Sequence, residues 1–171
     1  MNKNKIYKWI LIPIIIVVLD LVLKFWIRNH FEYGQGLGIL NNTFYITNIK
    51  TIRMSLGFNN SFAPFTLISI VLELIFLFLF IKVQRIKIQS LFKISTLFIF
   101  FGLLGNYADK LLLSNGEKGY VRMDYLAVPP LSSAFFNLCT VLCYVGWLLL
   151  IIAVIKNFGD AKKIFFQKKS K

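Results

Sequence analysis

The sequence predicts an all-α integral membrane protein with four transmembrane helices and both termini in the cytoplasm. Of its 171 residues, 57% are hydrophobic and only 16% are charged, and the mean hydropathy is +0.69. These values lie outside the range of soluble domains. At about 20 apolar residues per crossing, the length allows four spans with short connections, so we expect a single membrane domain over residues 1–171.

Four apolar segments are the predicted spans, at about residues 9–27, 64–81, 91–113 and 133–155. Each is long enough to cross about 30 Å of hydrocarbon. The basic start and the first apolar run are similar to a cleavable signal peptide, but Asp20 and Lys24 interrupt the run and no small-residue cleavage site follows it. We therefore expect an uncleaved first span.

The basic residues indicate the orientation of the spans. Thirteen of the 20 Lys and Arg residues precede the first span, lie between or beside the second and third spans, or follow the fourth. Cytoplasmic loops carry such an excess, which places both termini inside. The net charge of +13 is therefore a topology signal, and no nucleic-acid partner is expected. The basic and aromatic tail, residues 161–171, is expected to lie on the anionic lipid of the inner leaflet.

The two outward loops differ in character. The first, residues 28–63, contains the β-branched and aromatic segment Thr43–Thr47, which predicts a strand in a small outer flap. The second, residues 114–132, contains Pro129 and Pro130, which exclude a continuous helix. The two cysteines, Cys139 and Cys143, lie on one face of the fourth span and are expected to pack at a helix contact. No metal or cofactor is expected.

Polar residues at membrane depth are the candidate site residues, because each is costly unless it is paired or faces water. In chain order they include Asp20, Lys24, Glu73, Asn106, Asp109, Lys110, Asp124 and Asn137. Asp20 and Lys24 lie one helical turn apart and can neutralise each other. Glu73 lies in the middle of the second span with no obvious partner. Taken singly, these positions fit helix–helix hydrogen bonding as well as they fit a functional site.

Four motifs in order resemble those of the lipoprotein signal peptidase family, also called signal peptidase II. They are Asp20-Leu-Val-Leu-Lys24, Gly105-Asn106-Tyr-Ala-Asp109-Lys110, Gly119-Tyr-Val-Arg-Met-Asp124-Tyr125 and Phe136-Asn137. The resemblance covers nearly the whole chain. It implies a multi-pass protein of the bacterial inner membrane and an intramembrane aspartic peptidase, which cleaves prolipoproteins before a lipidated cysteine. Two aspartates that share a proton activate water in that chemistry.

The resemblance also identifies departures from the family pattern. Asp124 matches the first catalytic aspartate, but Thr140 occupies the second position, three residues after Asn137. Thr51 replaces a site asparagine, and Lys110 replaces an arginine, which keeps the charge but loses the bidentate fork. The matching residues that remain would support the site or bind substrate: Asp20, Lys24, Asn106, Asp109 and Asn137.

Three functional hypotheses follow. The first is a family member that binds lipidated prolipoproteins or lipopeptides without ordinary aspartic peptidase activity, alone or with another membrane subunit. The second is an active peptidase in which a displaced carboxylate, from Asp109 or Glu73, completes the site. The third is a small transport or assembly subunit, in which Glu73 and the Asp20–Lys24 pair form a polar pathway.

The predicted topology can be tested by cysteine-accessibility labelling at Asn42 and Lys118, one in each outward loop. An impermeant reagent should label both Asn42→Cys and Lys118→Cys in intact cells, because thirteen of the 20 basic residues anchor the opposite side. Protection of both positions would contradict the orientation.

Overall fold

The computed structural model describes residues 3–39, 41, 44–51, 62–113, 122–127 and 135–166. The helices in these ranges are α1 (Lys3–His30), α2 (Phe62–Arg85), α3 (Ser90–Leu113), α4 (Leu138–Lys156) and α5 (Phe158–Phe166). The strands are β1 (Gly36–Ile39), β2 (Phe44–Thr51), β3 (Arg122–Ala127) and β4 (Phe135–Phe136). Each predicted apolar segment corresponds to one of the helices α1 to α4.

Three of the described helices have the length and hydropathy of membrane spans. They are Trp9–His30 in α1, Ser90–Leu113 in α3 and Leu138–Lys156 in α4. Helix α2 is also long, with 24 residues. Large apolar side chains such as Phe25, Phe78 and Ile155 are mostly exposed, as expected where lipid rather than water surrounds the helices. The chain is therefore a predominantly helical membrane protein.

Helices α3 and α4 approach each other more closely than ordinary side chains allow. A Cβ atom on Gly102 would lie 2.5 Å from Cys143 Sγ and 2.7 Å from the backbone oxygen of Cys139. A Cβ atom on Gly105 would collide with Cys139 Sγ. Both cysteines are buried and neither forms a disulfide, which confirms that they pack at a helix contact. Glycine on one helix and cysteine on the other therefore set the spacing of this pair.

An antiparallel sheet in the order β1-β2-β3-β4 lies at one end of the helices, here called the sheet end. Its first two strands are the predicted flap, with Leu37 opposite Ile46. Strand β3 comes from the second predicted loop and β4 from the predicted start of the fourth span, so the sheet is larger than the sequence predicted and the fold is not purely helical. The alternation of polar and apolar residues from Arg122 to Tyr125 is the signal that could have predicted β3.

A side-chain hydrogen bond from β2 connects the sheet to the end of α1. Asn48 Nδ2 donates to the backbone oxygen of Phe31 at 2.7 Å, just after α1 ends. Beneath the sheet, Ile27 of α1 packs against Met123 and Tyr125 of β3 in one buried cluster. The end of α1 therefore positions β3 as well as the flap.

Helix α4 begins five residues later than the sequence predicted. The predicted start was residue 133, but Phe135 and Phe136 form β4 and pair with Ala127 and Leu126. Asn137 has an extended backbone and caps the helix, accepting a hydrogen bond from the N–H of Thr140. Apolar residues next to a helix look like its first turn in a hydropathy plot, and this similarity is the physical reason for the difference.

Helix α5 turns back against the other end of the helices. Asn157 interrupts the helical backbone after α4, and Ile164 of α5 belongs to one buried cluster with Val83, Phe92 and Ala153. The Asp160 carboxylate accepts hydrogen bonds from Lys163 and from the backbone N–H of Gln89, and these bonds lower the pKa of Asp160. The prediction that residues 161–171 lie on the inner leaflet is thus modified, because one face of α5 packs on protein. Residues 167–171 lie outside the described residues.

The α3–α4 contact predicts a rescue experiment at Gly105. Gly105→Ala should lower the free energy of unfolding by about 1–3 kcal/mol, because the new methyl group overlaps Cys139 Sγ. Adding Cys139→Ala should restore part of the loss, since the remaining neighbours of that methyl group are also side-chain atoms. Thermal unfolding in detergent measures both effects.

Gly159→Ala in α5 is the matched control. The atom nearest to its added Cβ is Asn157 Oδ1 at 3.5 Å, so its stability should change little. If Gly105→Ala behaves like Gly159→Ala, the close packing of α3 on α4 is wrong.

Candidate functional site

A buried ion-pair network joins α1 to α3. Lys24 Nζ lies 2.6 Å from Asp20 Oδ2 and 2.8 Å from Asp109 Oδ2, and all three side chains are fully buried. We call Asp20, Lys24 and Asp109 the Lys24 triad. Asp20 and Lys24 face the same way because they are one turn apart on α1. The structure thus adds Asp109 to the ion pair expected from the sequence.

The second oxygen of the Asp20 carboxylate lies at the start of α4. Asp20 Oδ1 accepts a hydrogen bond from the backbone N–H of Leu138 at 2.8 Å and a longer one from that of Cys139 at 3.4 Å. The first N–H groups of a helix have no partner within the helix, and the helix dipole favours an anion there. Asp20 therefore accepts hydrogen bonds from N–H groups at the start of α4, while Lys24 balances the negative charge of Asp20.

Tyr125 connects the same carboxylate to the sheet. Its hydroxyl donates to Asp20 Oδ1 at 3.0 Å and accepts from the N–H of Leu138 at 3.2 Å. Burial and the nearby Asp20 carboxylate raise the pKa of Tyr125 above its usual range, so the hydroxyl keeps its proton. The sequence argument missed this role, although Tyr125 stands directly beside Asp124 in the motif.

Asp109 holds the other side of β3. Its Oδ2 atom accepts a hydrogen bond from the backbone N–H of Met123 at 2.9 Å. Met123 and Tyr125, the residues on either side of Asp124, are thus each tied to a carboxylate of the Lys24 triad. The position of Asp124 is therefore fixed by its two neighbours in the chain, and its own side chain is almost fully buried.

Asn137 is the centre of a second group of polar contacts. Its Nδ2 atom lies 3.0 Å from each of three acceptors: Asp124 Oδ1, Asn106 Oδ1 and the backbone oxygen of Met123. An amide nitrogen carries two protons, so three acceptors share them. Its Oδ1 atom accepts from the N–H of Thr140 at 2.7 Å. Asn137 therefore caps α4 and binds β3 with one side chain.

Thr140 completes this group. Asn106 Nδ2 lies 3.5 Å from Thr140 Oγ1, at the outer limit of a hydrogen bond. We call Asn106, Asp124, Asn137 and Thr140 the asparagine cluster. Asp124 and Thr140, which the sequence aligned with the two aspartate positions, both contact Asn137, so the fold brings the two positions to one site.

The remaining predicted site residues are placed less closely. Thr51 is the last residue of β2, where its backbone pairs with Arg122; its side chain lies outside the described residues. Lys110 is half-buried in the last turn of α3. Glu73 lies in α2 and has no described contact with the cluster or the triad. Within the described ranges, no group of three His, Cys, Asp or Glu residues could hold a metal ion.

The arrangement constrains the chemistry of the site. A proton shared between two carboxyl groups requires that they lie side by side. In the asparagine cluster the α4 side presents the hydroxyl of Thr140 instead, while Asp20 and Asp109 are both engaged by Lys24. The cluster offers one carboxylate, two amides and a hydroxyl. These groups can hold the backbone or polar atoms of a peptide.

Long apolar helices with a closed polar network at the sheet end define an integral membrane protein with a polar site at one end of its spans. The model of the family described as signal peptidase (SPase) II matches residues 12–156. The chain belongs to this family. The matched range includes both the Lys24 triad and the asparagine cluster.

Individual relatives agree with this assignment, and solved structures share the fold. The chain is 26% identical over 163 residues to a lipoprotein signal peptidase of Clostridioides difficile, covering 95% of this chain and 99% of the relative. It is 26% identical to one of Staphylococcus aureus, covering 90% and 91%. Two solved structures described as bacterial membrane enzymes share the fold. Their TM-scores are 0.73 and 0.74 at 23% and 22% identity, over 89% and 97% of this chain and 95% and 96% of theirs.

The Lys24 triad predicts a large and specific loss of stability. Lys24→Met should lower the free energy of unfolding by about 3–5 kcal/mol, because it leaves two carboxylates without their buried counter-charge. Lys24→Met combined with Asp109→Asn should be more stable than Lys24→Met alone, since one of those charges is then absent. Thermal unfolding in a fixed detergent measures the series.

Lys82→Met is the matched control, because Lys82 lies over the ring of Phe78 at 6.0 Å and the contact contributes about 1 kcal/mol or less at such sites. Equal losses for Lys24→Met and Lys82→Met would mean that the triad does not hold the helices.

Proposed function

We propose that this protein binds lipidated prolipoproteins or lipopeptides in the bacterial inner membrane without ordinary aspartic peptidase activity. The observation that carries the proposal is the hydroxyl of Thr140 in the asparagine cluster, at the position where the family motif has its second aspartate. The relatives are named lipoprotein signal peptidases, so their names give lipoproteins as the class of protein on which they act. The substrate class is inferred from these relatives. The loss of peptidase activity is inferred from this chain's own residues.

The chemical argument rests on proton transfer. Aspartic peptidases need one carboxylate to take a proton from water while its neighbour gives a proton to the substrate. Threonine has no titration near neutral pH and cannot exchange roles with Asp124. A single aspartate cannot act as base and acid in the same step. Peptide binding needs neither role, and it can use the amides and the hydroxyl that remain.

A displaced carboxylate is the main alternative, and the geometry speaks against the nearest candidate. Asp109 is paired with Lys24 and accepts a hydrogen bond from the N–H of Met123. Its negative charge is therefore balanced by Lys24, and its orientation is fixed by β3. Glu73 has no described contact with Asp124. The transport hypothesis meets the same difficulty, because no described contact connects Glu73 to the buried Lys24 triad.

The polar residues themselves support binding. A polar group in the hydrocarbon region costs several kcal/mol unless it is satisfied. The asparagine cluster satisfies many of its own groups, so it also stabilises the junction of α3, α4 and β3. Binding is favoured because Asp124 adds a carboxylate to this junction, where an apolar residue would suffice for packing.

The proposed orientation of the chain in the membrane follows from its helices and from the distribution of its basic residues. Helix α2 is a further span, which brings the number to four; the termini lie in the cytoplasm, and the sheet end faces outward, where lipoprotein precursors present the peptide to be cleaved. The exposed cations of α5, including Lys162 and Lys163, lie at the cytoplasmic end and contact anionic lipid.

A cleavage and binding assay with the purified full chain and a diacylated prolipoprotein peptide in detergent tests the proposal. The wild type should bind the peptide, seen as a rise in unfolding temperature, and should leave it intact. Asn137→Ala should reduce that ligand-induced rise as well as the basal stability, because Asn137 contacts both Asp124 and α4. Thr140→Asp is expected to gain slow turnover.

The same assay separates the alternatives. Cleavage by the wild type that Asp124→Asn abolishes would mean that another carboxylate completes the site, and Asp109→Asn and Glu73→Gln then identify it. The absence of any ligand-induced rise in the wild type would mean that the asparagine cluster is purely structural.

A further inference from the structure

The side-chain nitrogen of Asn137 has more acceptors around it than it has protons. Three oxygen atoms lie 3.0 Å from Asn137 Nδ2, namely Asp124 Oδ1, Asn106 Oδ1 and the backbone oxygen of Met123. An amide nitrogen carries two protons. The amide cannot turn over to change this, because its Oδ1 atom accepts a hydrogen bond from the N–H of Thr140 at 2.7 Å. One of the three oxygen atoms can therefore accept a hydrogen bond from a ligand.

The backbone donors at the start of α4 are already used within the protein. N–H groups at a helix N-terminus commonly bind anions. Here the N–H groups of Leu138 and Cys139 donate to Asp20 Oδ1, and that of Thr140 donates to Asn137 Oδ1. An anionic ligand therefore gains little from this helix end, and the groups left for recognition are mainly oxygen acceptors.

Asp124 gives the asparagine cluster a negative charge in a place from which water is largely excluded. Asp124 is 1% exposed, and Asn137 and Thr140 are 0% and 4% exposed. Hydrogen bonds to a carboxylate from a charged donor are about twice as strong as those between neutral groups, and a low dielectric strengthens them further. The cluster therefore favours a positively charged nitrogen over the N–H of an amide.

Asn106 is the part of the cluster that a ligand reaches first, because its side chain is partly exposed. Its Oδ1 atom is one of the three acceptors, and its Nδ2 atom makes a long contact of 3.5 Å with Thr140 Oγ1. One amide can thus accept a hydrogen bond from a ligand nitrogen and donate one to a neighbouring carbonyl oxygen. The first residue of a peptide carries both groups, an ammonium and a carbonyl.

We propose that the asparagine cluster binds the N-terminal ammonium group of a cleaved lipopeptide in preference to the uncleaved precursor. Hydrolysis adds water across the peptide bond before the lipidated cysteine. The released segment keeps a carboxylate, and the cysteine keeps a nitrogen that is mostly protonated at neutral pH. The precursor has an amide N–H at the same atom. This inference rests on the proposed lipopeptide-binding function and names the form of its ligand.

The residue at position 140 fits this ligand. One ammonium group balances one carboxylate, so Asp124 beside the neutral hydroxyl of Thr140 matches the charge of a peptide N-terminus. A second carboxylate would leave a buried negative charge in excess. The reaction that supplies the ligand is hydrolysis of the precursor by a separate, active peptidase, which places this protein after that step.

Three synthetic lipopeptides test the proposal. They begin with the same diacylglyceryl-modified cysteine and differ at its nitrogen, which is an ammonium, is acetylated, or is replaced by hydrogen. The acetylated form represents the precursor amide, and the third form controls for the size of the acetyl group. The full chain in nanodiscs of zwitterionic lipid should bind the ammonium form about tenfold more tightly than either other form, a difference of about 1.4 kcal/mol. Binding to empty nanodiscs is subtracted.

Two variants make the result specific. Asp124→Asn removes the charge but keeps an oxygen for Asn137, so the preference for the ammonium form should fall below about twofold. The affinity for the acetylated form should change little. Asp160→Asn is the matched control, because it makes the same change in α5 at the other end of the helices, and it should retain the tenfold preference. Thermal unfolding without ligand confirms that each variant is folded.

The contrary outcomes separate this inference from the function on which it rests. Equal binding of the three lipopeptides by the wild type would overturn the inference and leave lipopeptide binding in place. Binding of none of them would remove the proposed function itself. A preference for the ammonium form that survives Asp124→Asn, or that Asp160→Asn also abolishes, would overturn the assignment of the ammonium group to the asparagine cluster.

Discussion

The ammonium group of Lys24 is the interaction on which the site depends. It lies between two buried carboxylates, and each carboxylate uses a further hydrogen bond to hold another part of the fold. Asp20 accepts hydrogen bonds from the backbone N–H of Leu138 at the start of α4 and from the hydroxyl of Tyr125. Asp109 accepts one from the backbone N–H of Met123. The side chains of the Lys24 triad therefore neutralise buried charge and position β3 at the same time.

The contacts of the asparagine cluster do not depend on which side chain stands at position 140. Asn137 contacts Asp124, Asn106, Met123 and Thr140, and none of these contacts requires a carboxylate at position 140. The hydrogen bond from Thr140 to Asn137 comes from the backbone N–H, which every residue except proline provides. Replacement of the side chain at this position therefore leaves the capping geometry intact.

The sequence predicted the helices well, because an unbroken run of about 20 apolar residues is typical of a membrane span. It also selected most of the polar residues that the fold brings together, since their spacing matches family motifs. It did not predict β4 or the roles of Tyr125 and the Met123 N–H. Those depend on the register of β3 beside β2 and on the delayed start of α4, which hydropathy cannot reveal.

The close contact of α3 with α4 also determines how the asparagine cluster can be reached. At Gly102 the two helices leave no space for even one added carbon atom, so an acyl chain cannot slide between them. Asn106 and Thr140 lie at the end of that seam. The lipid-bearing ligand that we propose would therefore have to approach along the sides of the α3–α4 pair, beside α1 or α2.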